Sequence, residues 1–310
     1  MRLDLSSFYS SLLVIALIIA LGFILGKTKK ISQSTNKQLV NLLLIIFMPA
    51  SLFNAFPGTY SEEYGYLFLM GFLAGLLIML TMILVGKLIY HEKIFHGELS
   101  YEGQFAFIFN NATFLGYPII SSAFGEQGII PYCGFIIAFN LALFSYGIWL
   151  FERKLTPRFF VRVLTNPNII AVVLGLIFFF TQIAIPDILK TTVGYVSNIT
   201  TPLSLICIGY MLSTAEFRSL VKKWRLLLVA AIQLTISPLL TFLILNLLQF
   251  PSEVIIVCTL IQALPTATSL GLFAQKYGGK DAKVDEASEI VVISTTMSML
   301  TLPLITLLLK

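Results

Sequence analysis

With 310 residues, of which 57% are hydrophobic and 11% charged, and a mean hydropathy of +0.92, this chain is not a water-soluble domain; such domains carry about 25% charged residues. The net charge of +5 does not make it a nucleic-acid binder, because its cations are scattered between apolar runs rather than gathered on one face. What remains is a polytopic membrane protein, and at roughly 20 apolar residues per spanning helix the length leaves room for about ten crossings.

The first apolar run, 8–26, has only Arg2 before it, lacks a small-x-small cleavage signal and runs into Lys27, Lys29 and Lys30. It is expected to be a retained span rather than a signal peptide. The runs 38–56 and 65–90 follow, then 101–123, which is interrupted by Gly116 and Pro118, and 129–151. The second five are 168–185, 194–213, 226–249, 254–275 (interrupted at Pro265) and 288–309. Cys133, Cys207 and Cys258 all fall within apolar runs, where a thiol behaves as a small hydrophobe. His91 and His96 share one short loop. Neither a disulfide framework nor a metal-ligand spacing follows, so no metal site and no cofactor are expected.

The connections decide orientation. Of the 20 lysines and arginines, 17 fall in the odd-numbered connections, leaving only Arg2, Lys190 and Lys310 for the other side. Such an asymmetry marks the odd connections as cytoplasmic and puts both termini outside the cytoplasm. The halves also echo one another at an offset of 153 residues: Gly22 with Gly175, Pro49 with Pro202, Gly125 with Gly278, Ser145 with Ser298. Five spans per half is an odd number, so the second half enters the membrane in the opposite sense. The expected fold is therefore all-α, with ten transmembrane helices in two inverted repeats, 1–153 and 154–310, as in many secondary transporters.

Two corresponding spans are broken. The fourth reads Phe109-Asn110-Asn111-Ala112-Thr113-Phe114-Leu115-Gly116-Tyr117-Pro118, and the ninth Gln262-Ala263-Leu264-Pro265-Thr266-Ala267-Thr268-Ser269. Proline removes a backbone donor and clashes with the preceding turn, and glycine weakens a helix. At membrane depth, irregular backbone survives only where it is buried in protein or lines a wet cavity. Paired breaks of this kind point to a binding site. The candidate substrate ligands are Asn110, Asn111, Thr113, Gly116, Pro118, Gln262, Pro265, Thr266, Thr268 and Ser269. No Asp, Glu, Lys or Arg lies in the interior of any predicted span, with Lys87 and Glu289 only at ends. That speaks against a cation coupled through a buried acid. Helix N-termini opened by the breaks, with Asn111, Thr266, Thr268 and Ser269 as donors, suit a small carboxylate.

At these residues the sequence resembles the auxin efflux carrier family, which includes plant auxin carriers and bacterial malate or malonate permeases. The matching features are Asn111 five residues before Gly116-Tyr117-Pro118, Ala263-Leu264-Pro265 followed by Phe273-Ala274 and Tyr277, and Asn166-Pro167-Asn168 followed by Gly175-Leu176. Asn110 departs from the proline of plant carriers, and the fifth connection is short. The resemblance implies an elevator carrier of organic anions in the cytoplasmic membrane. In it, spans 3–5 and 8–10 would slide against a lipid-embedded scaffold of spans 1, 2, 6 and 7 that also forms a homodimer. It further implies that Asn111 is a carboxylate ligand and Asn168 a weaker candidate near the cytoplasmic approach. Ser51 and Ser204, beside the paired prolines, either face the pocket or pack helix against helix.

The alternative is a sodium-coupled organic-anion symporter of the bile-acid type, which shares the ten-span inverted design and would need acidic or amide ligands for sodium. Gln262 is the obvious amide of the ninth span. A membrane-embedded enzyme would need His, Asp, Cys or Glu at its chemistry, and a channel a filter motif or charged ring. With both histidines in one loop and no acid in the interior of a span, the enzyme reading finds no support, and no repeated filter motif or charged ring appears.

Overall fold

The computed structural model describes residues 5–54, 61–91, 100–153, 161, 164–214, 222–278 and 283–309. These residues form fourteen α-helices. In chain order they are α1 (Leu5–Lys27), α2 (Gln33–Leu42), α3 (Met48–Asn54), α4 (Glu62–Ile89), α5 (Ser100–Ile108), α6 (Tyr117–Ala142) and α7 (Ile148–Glu152). The chain continues through α8 (Pro167–Thr181), α9 (Asp187–Asn198), α10 (Thr200–Thr214), α11 (Trp224–Leu247), α12 (Ser252–Gln262), α13 (Leu270–Tyr277) and α14 (Val284–Leu308). Single π turns join α2 to α3 and α6 to α7, and a third, Ala112–Gly116, leads into α6. Strand pairing among the described residues is limited to one isolated bridge.

Among the described residues, six helical stretches are long and apolar enough to cross a membrane: Gln33–Asn54, Glu62–Ile89, Gln127–Glu152, Asp187–Thr214, Trp224–Leu247 and Val284–Leu307. Four shorter apolar helices accompany them, Leu13–Lys27, Ala112–Ser121, Pro167–Thr181 and Ser252–Gln262. Each predicted apolar run overlaps one of these stretches. The surface confirms the solvent. Leu13, Leu17, Leu21 and Ile24 of α1 recur at helical spacing, and all are exposed, as are Leu69, Leu73, Leu80, Leu84 and Leu88 of α4. Stripes of this size are stable against lipid tails and not against water. The protein is an integral membrane protein.

Several boundaries differ from the sequence pattern, the seventh span for instance beginning at Asp187 rather than at 194, and two of them bear on the site. The helix carrying α2 begins at Gln33, because Ser32 Oγ accepts the backbone N–H of Thr35 at 3.1 Å and caps it. Lys37, which the pattern put in a connection, is thereby folded into the second turn. The other difference is α6, which continues past the predicted end of the fourth run. It is two helices that meet at Gly125, whose φ of 55° and ψ of −141° suit a residue without a Cβ.

Packing sorts the helices into two neighbourhoods. In one, α1 lies along α10, and α3 packs on α8 and α9. In the other, α4 lies along α6, and α11 contacts α5, α12 and α14. Close approach needs small residues, as expected where apolar helices meet within lipid: a Cβ on Gly209 would fall 2.1 Å from the Ile19 carbonyl oxygen. The floor of the second neighbourhood is aromatic, with Phe105, Phe109, Phe139 and Phe273 in ring contact around the end of α5.

Candidate functional site

Helix α5 ends at Ile108, and Asn111 (φ −80°, ψ 48°) has left helical geometry before the π turn begins. Helix α12 ends at Gln262, and 263–269 stay outside regular helix until α13. Pro265 offers no N–H with which to continue α12. The two interruptions run antiparallel past each other. Asn111 N–H donates to the Pro265 carbonyl at 2.6 Å and Ala267 N–H to the Phe109 carbonyl at 2.9 Å, bracketing the bridge between Asn110 and Thr266. Four backbone groups that broken helices would strand in a dry interior thus satisfy one another.

Side chains from two further helices fasten this knot. Gln262 is fully buried, and its Oε1 accepts from Asn110 Nδ2 and from Ser237 Oγ of α11, each at 2.8 Å. Gln233 Nε2, one turn earlier on α11, donates to the Leu264 carbonyl at 2.7 Å. Ser294 of α14 accepts the Thr266 N–H at 3.2 Å. On the other side, Tyr132 OH donates to the Ala112 carbonyl at 3.0 Å. Gly116 fits here because a Cβ would come within 3.3 Å of both Tyr132 and Leu264.

A cavity of about 760 Å³ opens in front of the knot. Asn110, Asn111 and Thr113 line it from the first break and Ala267, Thr268 and Ser269 from the second, opposite Asn41, Leu44 and Met48 of the α2–α3 helix. Asn111 is 2% exposed, and its Nδ2 has no hydrogen-bond partner. A buried donor left open in this way costs about 1–3 kcal/mol unless a ligand or water takes it.

The predicted residues therefore divide. Asn110, Asn111, Thr113, Thr268 and Ser269 line the cavity, as does Asn168. Gly116, Pro118, Gln262, Pro265 and Thr266 are not among the lining residues; the hydrogen bonds of Gln262, Pro265 and Thr266 hold the backbone behind it. Asn168 leaves helix capping to Asn166, whose Oδ1 accepts the Asn168 N–H at 2.9 Å. Its own Nδ2 reaches the Leu44 carbonyl at 3.4 Å, while Oδ1 stays unpartnered. Ser51 and Ser204 lie elsewhere. Ser51 Oγ donates to Thr200 Oγ1 at 2.7 Å, joining α3 to α10, and Ser204 Oγ donates to the Thr201 carbonyl within its own helix at 2.9 Å.

The family described as membrane transport protein matches residues 7–159 and 151–306. The chain belongs to the auxin efflux carrier family. An uncharacterized transporter of Methanothermobacter thermautotrophicus is 30% identical over 196 residues, 63% of this chain and 63% of that relative's length. Both comparisons describe a transporter, not an enzyme.

In this transporter the cavity's other wall is made by residues that the sequence pattern did not single out. Lys37, Gln38 and Asn41 line it, as do Thr165 and Asn166. The available signal was the spacing of Lys37, Asn41, Leu44 and Met48 along one helical face, visible once Ser32 is taken as an N-cap. Gln233 and Ser237, buried polar residues in a mostly apolar run, were also detectable as partners for a break.

Proposed function

We propose that this transporter is a carrier for a small organic anion, seated as a carboxylate at the broken helices and moved by elevator-type alternating access. The observation that carries the reading is the unpartnered, buried Nδ2 of Asn111 on a cavity walled by both breaks. Thr113 belongs to the first turn after one break, and Thr268 and Ser269 precede α13 after the other. Helix N-termini carry partial positive charge, so hydroxyl and amide donors placed there favour an anion.

The packing supports ten spans in two inverted repeats. The first span (α1) lies along the seventh (α9–α10) as the sixth (α8) lies on the second (α2–α3), and the third pairs with the fifth as the eighth pairs with the tenth. The proposed scaffold is spans 1, 2, 6 and 7, which also dimerise, and the moving bundle is spans 3–5 and 8–10. The cation asymmetry supports both termini lying outside the cytoplasm, in the cytoplasmic membrane.

A thermal-shift screen of the purified protein against small mono- and dicarboxylates tests the reading. A ligand at 100 times its Kd stabilises by about 2.7 kcal/mol, so a bound anion raises Tm measurably. The Asn111→Ala protein is expected to fold and lose that rise; an undiminished rise would refute the site. The competing sodium-coupled reading draws on unpartnered oxygens of Asn110, Thr266 and Gln233 behind the break. Uptake that persists when choline replaces sodium rejects it.

A further inference from the structure

Among the described residues lining the cavity, Lys37 is the one that carries a charge, and no aspartate or glutamate faces it across the opening. Lys37, Asn41, Leu44 and Met48 share one face of the continuous helix through α2 and α3. They grade from charged through amide to apolar. Lys37 and Asn41 are exposed, whereas Met48 is buried and packs in one cluster with Phe114, beside the first break. At 1.5 Å per residue, Lys37 stands about 16 Å along the axis from Met48. The cavity thus has a cationic mouth and a neutral floor.

These two ends do different things to an anion. The floor holds only dipoles, whose pull falls off within a few ångströms; the donors there engage a solute that has already arrived. A lysine ammonium acts over about a Debye length, 8–10 Å at physiological ionic strength. Low-dielectric walls of Leu44, Ile45, Phe144 and Ile148 focus its field into the opening rather than dissipating it in solvent.

We propose that Lys37 is the charge-selecting residue of this carrier, drawing anions into the cavity mouth and repelling cations before any ligand reaches the broken helices. The assignment rests on the organic-anion reading of the cavity, but it concerns admission, not seating. Asn111 determines what stays; Lys37 determines what enters.

The experiment needs no knowledge of the natural substrate. A single cysteine is placed in the cavity of the detergent-purified protein, at Asn41→Cys near the mouth and, separately, at Thr113→Cys on the floor. The native Cys133, Cys207 and Cys258 are buried. Reaction rates are measured for anionic sulfonatoethyl and cationic trimethylammonium-ethyl methanethiosulfonates with lysine, arginine, glutamine or glutamate at position 37. The anion-to-cation rate ratio is expected to fall about tenfold for Lys37→Gln, to fall further for Lys37→Glu, and to survive in Lys37→Arg. High salt should erase the differences. If Asn41→Cys reacts with the same ratio in all four backgrounds, the proposal is overturned. That result would leave the Asn111 site standing, because its Tm test is independent of Lys37. Conversely, loss of the Asn111 effect with retained charge selection at the mouth would overturn the seating and not the filter.

Discussion

The two helix breaks are alike in sequence and unlike in work. The first is brief: Phe109, Asn110 and Asn111 leave the helix, a π turn follows, and Asn110, Asn111 and Thr113 line the cavity. The second is longer, and its leading residues turn inward. Gln262, Leu264, Pro265 and Thr266 are spent on hydrogen bonds to Asn110, Gln233, Asn111 and Ser294, while 267–269 reach the cavity. Two breaks at corresponding places in the sequence therefore need not make a symmetric site. In the proposed site the first break would offer donors to a ligand, while most of the second builds the frame behind them.

The sharpest way to break that division is to remove the frame without substituting a residue that lines the cavity. Gln262→Leu keeps the volume but strands Asn110 Nδ2 and Ser237 Oγ, both bonded at 2.8 Å. Side-chain hydrogen bonds between membrane helices average about 0.6 kcal/mol and reach about 1.7, so losing two is expected to cost about 1–3 kcal/mol. The measurement is Tm of the ligand-free protein, which should drop by several degrees. An unchanged Tm would mean that the backbone pairing of 109–111 with 265–267 suffices by itself.

A smaller effect is expected at Pro265, where the ring prevents α12 from continuing but the carbonyl does the bonding. Pro265→Ala restores an N–H and removes the clash, yet Asn111 and Gln233 still grip the neighbouring carbonyls. The expected outcome is turnover slowed a few-fold in vesicle exchange with little change in affinity. Wild-type turnover would show that hydrogen bonds, not proline, keep the break open.

How much of this was legible beforehand follows from the range of each interaction. Helix positions and both breaks could be read because they depend on local patterns: apolar runs, Pro265, Gly116, and asparagines where a membrane helix should be apolar. Which break residues face the cavity could not, because Gln262 and Thr266 are turned inward by Ser237, 25 residues away, and by Ser294, 28 residues away. Lys37 was misplaced for a subtler reason. A charge near a membrane boundary reads as a connection by hydropathy, and only the Ser32 cap moves the helix start ahead of it. Ser51 had two open readings, and its bond to Thr200 places it between helices.

The last effect, on affinity rather than on stability or turnover, is expected at Ser269, one of the three residues that the frame-bearing break contributes to the cavity. Its carbonyl accepts the Phe273 N–H at 2.9 Å, a backbone bond that Ser269→Ala leaves intact. Only the hydroxyl of a cavity-lining residue is lost. A neutral hydrogen bond contributes about 0.5–1.5 kcal/mol net, so affinity for a carboxylate identified in the thermal screen should weaken by about two- to tenfold, well short of Asn111→Ala. Titration calorimetry on the two variants decides the order. Should Ser269→Ala weaken binding more than Asn111→Ala, the second break would be the principal ligand and the first its support, because the seating donor would then lie at the start of α13 rather than on the asparagine that ends the first break.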